Sequence, residues 1–381
     1  MKVIIAMDSF KGSMTSLEAG NAAKKGVLRA MPDVDIVVKP LADGGEGTVA
    51  ALIEGLRGEE IEIVVSDPLG RPTKSYYGFL PDGTAVMEMA QAAGITKLTE
   101  EECNPLVTST YGVGEMIADA IERGCRKFVI GIGGSATNDG GVGMLEALGY
   151  EFLDHCGKKV KAGAGNLSRI VEIRCDKVLP QLQECDFYIA CDVDNPLCGT
   201  TGATFVYGPQ KGLPMELCQR VDEGMLHYAQ LAECFVEKCC LEEPGAGAAG
   251  GLGFAFITFL QGKLVSGVDL ILDTIYIEKD LKSADIVITG EGRLDGQTAR
   301  GKAPVGVARR AKKYGCKVLV FAGCIGEGAQ QCLREGVDAF YGITDDGFSL
   351  EEQMKKENAM SNMENTVEDV FRKSLLEGNR R

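Results

Sequence analysis

Several short stretches set glycine, hydroxyl, acid and base side by side, a combination suited to holding a small anion. "MDSFKGS" (7–13) carries Ser9 and Lys11, and "LADGGEGT" (41–48) carries Asp43, Gly44 and Gly45. "GIGGSATNDGG" (131–141) carries Gly133, Gly134, Ser135, Thr137, Asn138 and Asp139. "CDVDNPLCG" (191–199) carries Asp192, and "TGEGRLDGQT" (289–298) carries Glu291, Arg293 and Asp295. Glycines let the backbone approach a ligand closely. Cations and free amides favour anions. Carboxylates can bind hydroxyls, act as bases or hold Mg2+, which takes oxygen ligands and often only one or two carboxylates. On these grounds Lys11, Arg293, Asp192 and Asp295 are candidate catalytic groups, with Asp192 also a candidate metal ligand. Each stretch has a plainer reading as well: a helix cap beside a surface lysine, a loop ion pair, or a turn.

Two other matches to nucleotide motifs fail on context. Gly296 to Lys302 nearly spells a phosphate loop, but the hydroxyl-bearing position is Ala303, followed by Pro304. A true phosphate loop places that hydroxyl on Mg2+ and follows its strand directly. "GAGAAG" (245–250) fits the dinucleotide spacing, yet Pro244 and acids precede it rather than a strand, so it reads as a glycine turn leading into a helix at 251–261. "SDPLGRP" (66–72) reads most simply as a turn between strands.

The elements that must position these groups follow from periodicity. Apolar, β-branched runs at 2–10, 35–43, 284–290, 317–323 and 339–344 read as strands. Between them, apolar spacing predicts helices at 16–31, 45–56, 303–315 and 327–336, and another lies within 350–377. This alternation predicts a parallel sheet with helices on both faces, and five strands suit a flavodoxin-like order. Residues 60–90 read as an antiparallel meander. A helix at 110–123, strands at 127–133 and 185–192 and a helix at 141–149 follow. The sequence therefore predicts a discontinuous domain, 1–62 with 280–381, interrupted by a second α/β domain at 63–279. Three of the five strands of the first domain end in polar glycine loops, at the edge where open α/β sheets bind ligands.

Composition narrows the class. Acids outnumber bases 55 to 40, for a net charge of −15. No basic face of the kind nucleic-acid binders need is visible. There are 14 cysteines and two histidines, with no CxxC pair, so a zinc cluster is not expected and the thiols read as reduced and buried, in runs such as those holding Cys191, Cys316 and Cys324. The N-terminal apolar run is too short for a signal peptide, and "FAFITFL" (254–260) falls far short of the ~20 residues of a membrane span. The expectation is a cytoplasmic protein without membrane or nucleic-acid partners, and a homodimer is open.

Taken together and in order, "DSFKGS", "LADGGEGT", "SDPLGRP", "GIGGSATNDGG", "DVDNPLCG" and "TGEGRLDGQT" resemble the type-1 glycerate kinase family of bacteria. The pieces span nearly the whole chain. The resemblance implies a flavodoxin-like domain with a restriction-endonuclease-like insert, and transfer of the γ-phosphoryl of ATP to D-glycerate. It favours 2-phosphoglycerate over 3-phosphoglycerate as product, with Mg2+ as cofactor and the site in the interdomain cleft. In that setting Ser9, Asp43, Gly44, Gly45 and Glu291 would bind glycerate, and residues 133–139 would cradle nucleotide phosphates. A non-catalytic hydroxy-acid sensor and a flavodoxin-type redox module are the alternative readings.

Overall fold

The computed structural model describes residues 1–42, 44–45, 47–237, 240–344 and 349–378. Among the described residues thirteen strands run in chain order: β1 Lys2–Met7, β2 Asp35–Pro40, β3 Glu59–Ser66, β4 Pro72–Phe79, β5 Thr84–Glu88, β6 Lys127–Gly131, β7 Glu151–Leu153, β8 Glu172–Arg174, β9 Asp186–Ala190, β10 Lys263–Val265, β11 Ile286–Leu294, β12 Lys317–Ile325 and β13 Ala339–Gly342. The chain divides into two compact units. One comprises 1–43, 50–57 and 271–381, the other 44–49 and 58–270.

The first unit holds a five-stranded parallel sheet in the order β13-β12-β11-β1-β2. Counted within the unit this is 2-1-3-4-5 from the other edge, the flavodoxin-like order. Val3, Ile5 and Met7 of β1 are fully buried and pack with Ile288, Phe321 and the helices Ser16–Ala30 and Lys356–Gly378. A strand buried on both faces reads as a continuous apolar run, which is why "KVIIAM" was legible. Helix Ser16–Ala30 begins where Thr15 accepts the Glu18 amide and the Glu18 carboxylate accepts the Thr15 amide, a reciprocal cap.

The extent of β11 departs from expectation. Instead of ending at Gly290 it continues through Leu294, pairing with β12 as far as Ile325. Glu291 and Arg293 therefore stand on a strand rather than a loop. Gly290 is held tightly: a Cβ there would lie 1.9 Å from the Phe321 carbonyl oxygen. Backbone cannot yield as a flexible side chain can, so Gly290→Ala is expected to cost about 1–3 kcal/mol of stability. The measurement is the urea midpoint by circular dichroism, which should fall. An unchanged midpoint would show that the strand pair relaxes freely.

The second unit holds a six-stranded mixed sheet, β10-β9-β6-β5-β4-β3. β3, β4 and β5 form the antiparallel meander, while β5, β6, β9 and β10 run parallel. Its core packs Phe128, Phe187, Phe152, Tyr228, Phe254 and Phe256 around Met87, Ile130 and Leu252. The small antiparallel β7–β8 pair was not foreseen, because three-residue strands carry too little periodicity to register.

All thirteen described cysteines are free. Cys316 is buried, but Cys191 is only half-buried and Cys324 is exposed. The expectation of buried thiols is corrected for these two and for Cys156, Cys175 and Cys234, which are exposed: Cys324 lies near the outer end of β12, beyond its buried stretch. No helix among the described residues is long and apolar enough to cross a membrane.

Candidate active site

In the first unit the sheet reverses direction of build between β1 and β11, the switch point where such folds open a ligand crevice at the carboxyl ends of strands. Both strands deliver candidate groups there. The Asp8 amide donates to the Gly290 carbonyl at 2.9 Å, tying the end of β1 to β11. The chain then turns tightly, with Phe10 and Met14 exchanging backbone hydrogen bonds of 2.9 and 3.0 Å. Ser9 is half-buried and its amide donates to the Asp8 carboxylate at 2.6 Å. Lys11 is exposed at the apex of the turn, and among the described residues it has no ion pair. A side chain at Gly292 would lie 3.8 Å from the Lys11 amide nitrogen, so β11 runs directly beneath this turn. The helix that follows offers an anion less than its position suggested, since the Glu18 amide is already taken by Thr15.

On β11, Glu291 is buried and accepts from Thr298 Oγ1 at 2.5 Å. Arg293 projects outward, 67% exposed, with Nε 3.2 Å from Asp295 Oδ2. The Gln297 amide, donating at 2.8 Å, holds the Asp295 carboxyl below the usual carboxylate range; the Thr298 backbone, Lys302 and Arg293 act the same way. Asp295 is thus a weak base that orients a cation.

In the second unit, three of the stretches meet at the carboxyl ends of β6 and β9. Gly44 has φ +87°, and a Cβ there would fall 2.8 Å from Gly267 Cα and 2.9 Å from Ala190 Cβ. A Cβ on Gly131 would lie 2.5 Å from the Gly44 carbonyl oxygen. Only glycines allow this approach. Gly45 accepts from Thr48 Oγ1 at 2.7 Å. Asp43 lies outside the described residues. Past β9, the exposed Asp192 accepts the Gly267 amide at 3.0 Å on one carboxylate oxygen, fixing its orientation.

Past β6 the 133–139 loop has two layers. Gly133 and Gly134 are exposed and Ser135 is half-buried, so these form the outer layer. Thr137, Asn138 and Asp139 are fully buried beneath. Asp139 takes the Thr110 amide and hydroxyl and the Gly141 and Gly143 amides, at 2.8–3.2 Å. Burial pushes its carboxyl up despite these donors. Asn138 donates to Thr204 at 3.0 Å. In this arrangement the three shape the loop from below. Among the described residues no group of three or more acid, histidine or cysteine side chains is placed to hold a metal ion by itself.

Sequence reasoning missed the supports of this loop. "GAGAAG" is one: Ala249, Gly250 and Gly251 form a left-handed turn, and a Cβ on Gly250 would lie 2.1 Å from the Thr137 carbonyl oxygen. Gly250 therefore packs backbone against backbone. Lys211 is the other. It is 3% exposed, and its Nζ donates to Ser135 Oγ at 2.7 Å and to the Thr137 carbonyl at 2.6 Å. A single lysine after Gly-Pro-Gln carries no signal that separates it from a surface lysine.

An α/β chain with polar glycine loops gathered at the carboxyl ends of two parallel sheet regions belongs to the broad class that binds small anionic ligands. Comparison narrows the class. Residues 3–375 match the model of the glycerate kinase family. A glycerate kinase of Halalkalibacterium halodurans is 45% identical over 94% of each chain, and a glycerate 2-kinase of Escherichia coli is 40% identical over 93% of each. The crystal structure of a "putative glycerate kinase 2" from Salmonella typhimurium superposes with a TM-score of 0.92 at 38% identity, covering all of both chains. The chain belongs to the glycerate kinase family.

Proposed function

We infer that the protein transfers the γ-phosphoryl group of ATP to D-glycerate, with 2-phosphoglycerate as product. The observation that carries this reading is the placement of the family-like loops at strand carboxyl ends in a chain that aligns with glycerate kinases over nearly its full length. The E. coli relative named a glycerate 2-kinase supports the 2-position.

Phosphoryl transfer asks mainly for alignment and charge neutralisation. Lys11 and Arg293 supply the charge, facing the glycerate carboxylate or the moving phosphoryl group. Ser9, Asp43, Gly44, Gly45 and Glu291 bind glycerate, with the acids taking its hydroxyls. The exposed amides of Gly133 and Gly134 and the Ser135 hydroxyl receive nucleotide phosphates, over the buried Thr137, Asn138 and Asp139. Asp192 is the Mg2+ ligand or base, with Asp295, whose carboxyl is held below the usual carboxylate range, second. An exposed carboxylate oriented by the Gly267 amide suits Mg2+, which commonly takes one or two protein carboxylates and completes its shell with phosphate and water. When bound, Mg2+ neutralises charge on the phosphates. The interdomain location of the reaction, the cytoplasmic setting and a homodimer remain part of this proposal.

The test is a coupled ADP-release assay with Mg-ATP and D-glycerate, the product read by phosphorus NMR. Turnover to the 2-phosphate is expected. A 3-phosphate would correct the position, and no ADP release from folded protein that binds ATP would overturn the substrate.

A further inference from the structure

Lys211 is a lysine almost without solvent contact, and buried amines are retained only where specific partners hold them. Its two partners are the Ser135 hydroxyl and the Thr137 carbonyl, both in the loop that the proposed function gives to nucleotide phosphates. The rest of that loop is pinned independently. The Gly134 carbonyl accepts from Ile95 and the Ala136 amide donates to the Ala93 carbonyl, each at 2.9 Å, and the Gly140 carbonyl accepts from Tyr228 at 3.1 Å. With the backbone already fixed in this way, what Lys211 adds is charge and the direction of one hydroxyl.

An ammonium has three donors and no acceptor. Facing a charged Lys211, Ser135 Oγ must accept, which leaves its own proton free to point toward a ligand. A neutral amine has a lone pair and can accept the Ser135 proton, turning the hydroxyl inward. An anion on the exposed side of the loop therefore favours the charged form through Coulomb attraction and through the outward hydroxyl. We propose that Lys211 is a positioning residue whose protonation is coupled to phosphate binding through Ser135, so that the loop takes up a proton when it receives a polyphosphate.

This rests on the phosphate reading of the 133–139 loop. The coupling falls in an accessible range, because burial brings the Lys211 ammonium down to about 7, opposed by the nearby Asp139 carboxyl. Of the groups packed around it, Asp139 is the charged one acting on it; the Cys103 thiol, beside Gly212, donates to the Thr99 carbonyl. The sign follows. The charged form is the minority above pH 7, anion binding restores it, and affinity falls as pH rises, by up to about tenfold per unit.

The experiment is isothermal titration of the full chain with MgADP at pH 8, in two buffers of different ionisation enthalpy, for wild type, Ser135→Ala and Lys211→Met. Wild type should take up as much as about 0.9 proton, the neutral fraction of a group titrating near 7. Ser135→Ala should bind about tenfold more weakly, the scale of one charge-assisted hydrogen bond. Lys211→Met should bind without proton uptake. If that variant does not fold, Lys211→Arg replaces it, since its charge does not titrate here and uptake should again vanish. Wild-type heat that is independent of buffer, or uptake that persists in the Lys211 variant, overturns the coupling while leaving the phosphate reading intact. No MgADP binding, or binding indifferent to Ser135→Ala, overturns both.

Discussion

Lys11→Ala and Arg293→Ala are each expected to lower kcat/KM for D-glycerate by at least ~10²-fold, the scale of removing one charge-stabilising donor from a site where charge moves. The structure makes both variants clean. Lys11 and Arg293 are exposed, so truncation opens no cavity and should change stability by no more than about 0.5 kcal/mol. A loss of rate with an unchanged urea midpoint would therefore report on chemistry or binding. Partition between constants separates the roles. A cation on the glycerate carboxylate raises KM with little change in kcat, whereas one on the moving phosphoryl group lowers kcat. Arg293 has a second readout, since Asp295 lies 3.2 Å from its Nε. Asp295→Asn should show a smaller loss than Arg293→Ala, because it only loosens the cation. Near wild-type kinetics in both alanine variants would remove Lys11 and Arg293 from the reaction.

The parts of this arrangement that the sequence disclosed are those with strong local signals. β1, β11 and β12 are buried on both faces, so each is a run of apolar residues, and alternation with amphipathic helices fixed the parallel sheet. The loops announced themselves because strand carboxyl ends in such sheets carry ligand groups. What escaped depends on partners distant in sequence. β11 reaches Leu294 through a polar stretch because β12 continues alongside it, a pairing that no feature of "GEGRL" encodes. The helix expected at 327–336 is a 3₁₀ segment, Ala329–Glu335, entered and left through glycines of positive φ at 328 and 336. Lys211 lies 76 residues from Ser135, and Gly250 of "GAGAAG" answers to the Thr137 backbone more than 100 residues earlier. Of Asn138 and Asp139, which as sequence looked like ligand groups, Asp139 accepts from Thr110, Gly141 and Gly143 of the protein itself, while Asn138 donates to Thr204 and its buried Oδ1 has no partner among the described residues.

Asp192→Asn should be the most damaging conservative change, lowering kcat/KM by about 10²–10³-fold and raising the Mg2+ concentration needed for half-maximal rate. The estimate follows from a few kcal/mol of charge stabilisation, at tenfold per 1.36 kcal/mol. The substitution removes the charge while asparagine keeps an oxygen that can receive the Gly267 amide, 3.0 Å away in the wild type. Local backbone, including the close approach of Gly44 to Gly267, should survive. Asp192→Ala is the companion. It loses both the charge and the amide acceptor, so its urea midpoint should fall by an amount that Asp192→Asn does not share, about 1 kcal/mol for an unpaired amide. Equal rate losses in the two variants, with stability lost only in the alanine, would assign the effect to charge at this carboxylate. A wild-type rate and an unchanged Mg2+ titration in Asp192→Asn would reject it both as metal ligand and as base, leaving Asp192 the clasp on the first turn of helix Gly267–Thr274 that its geometry already makes it.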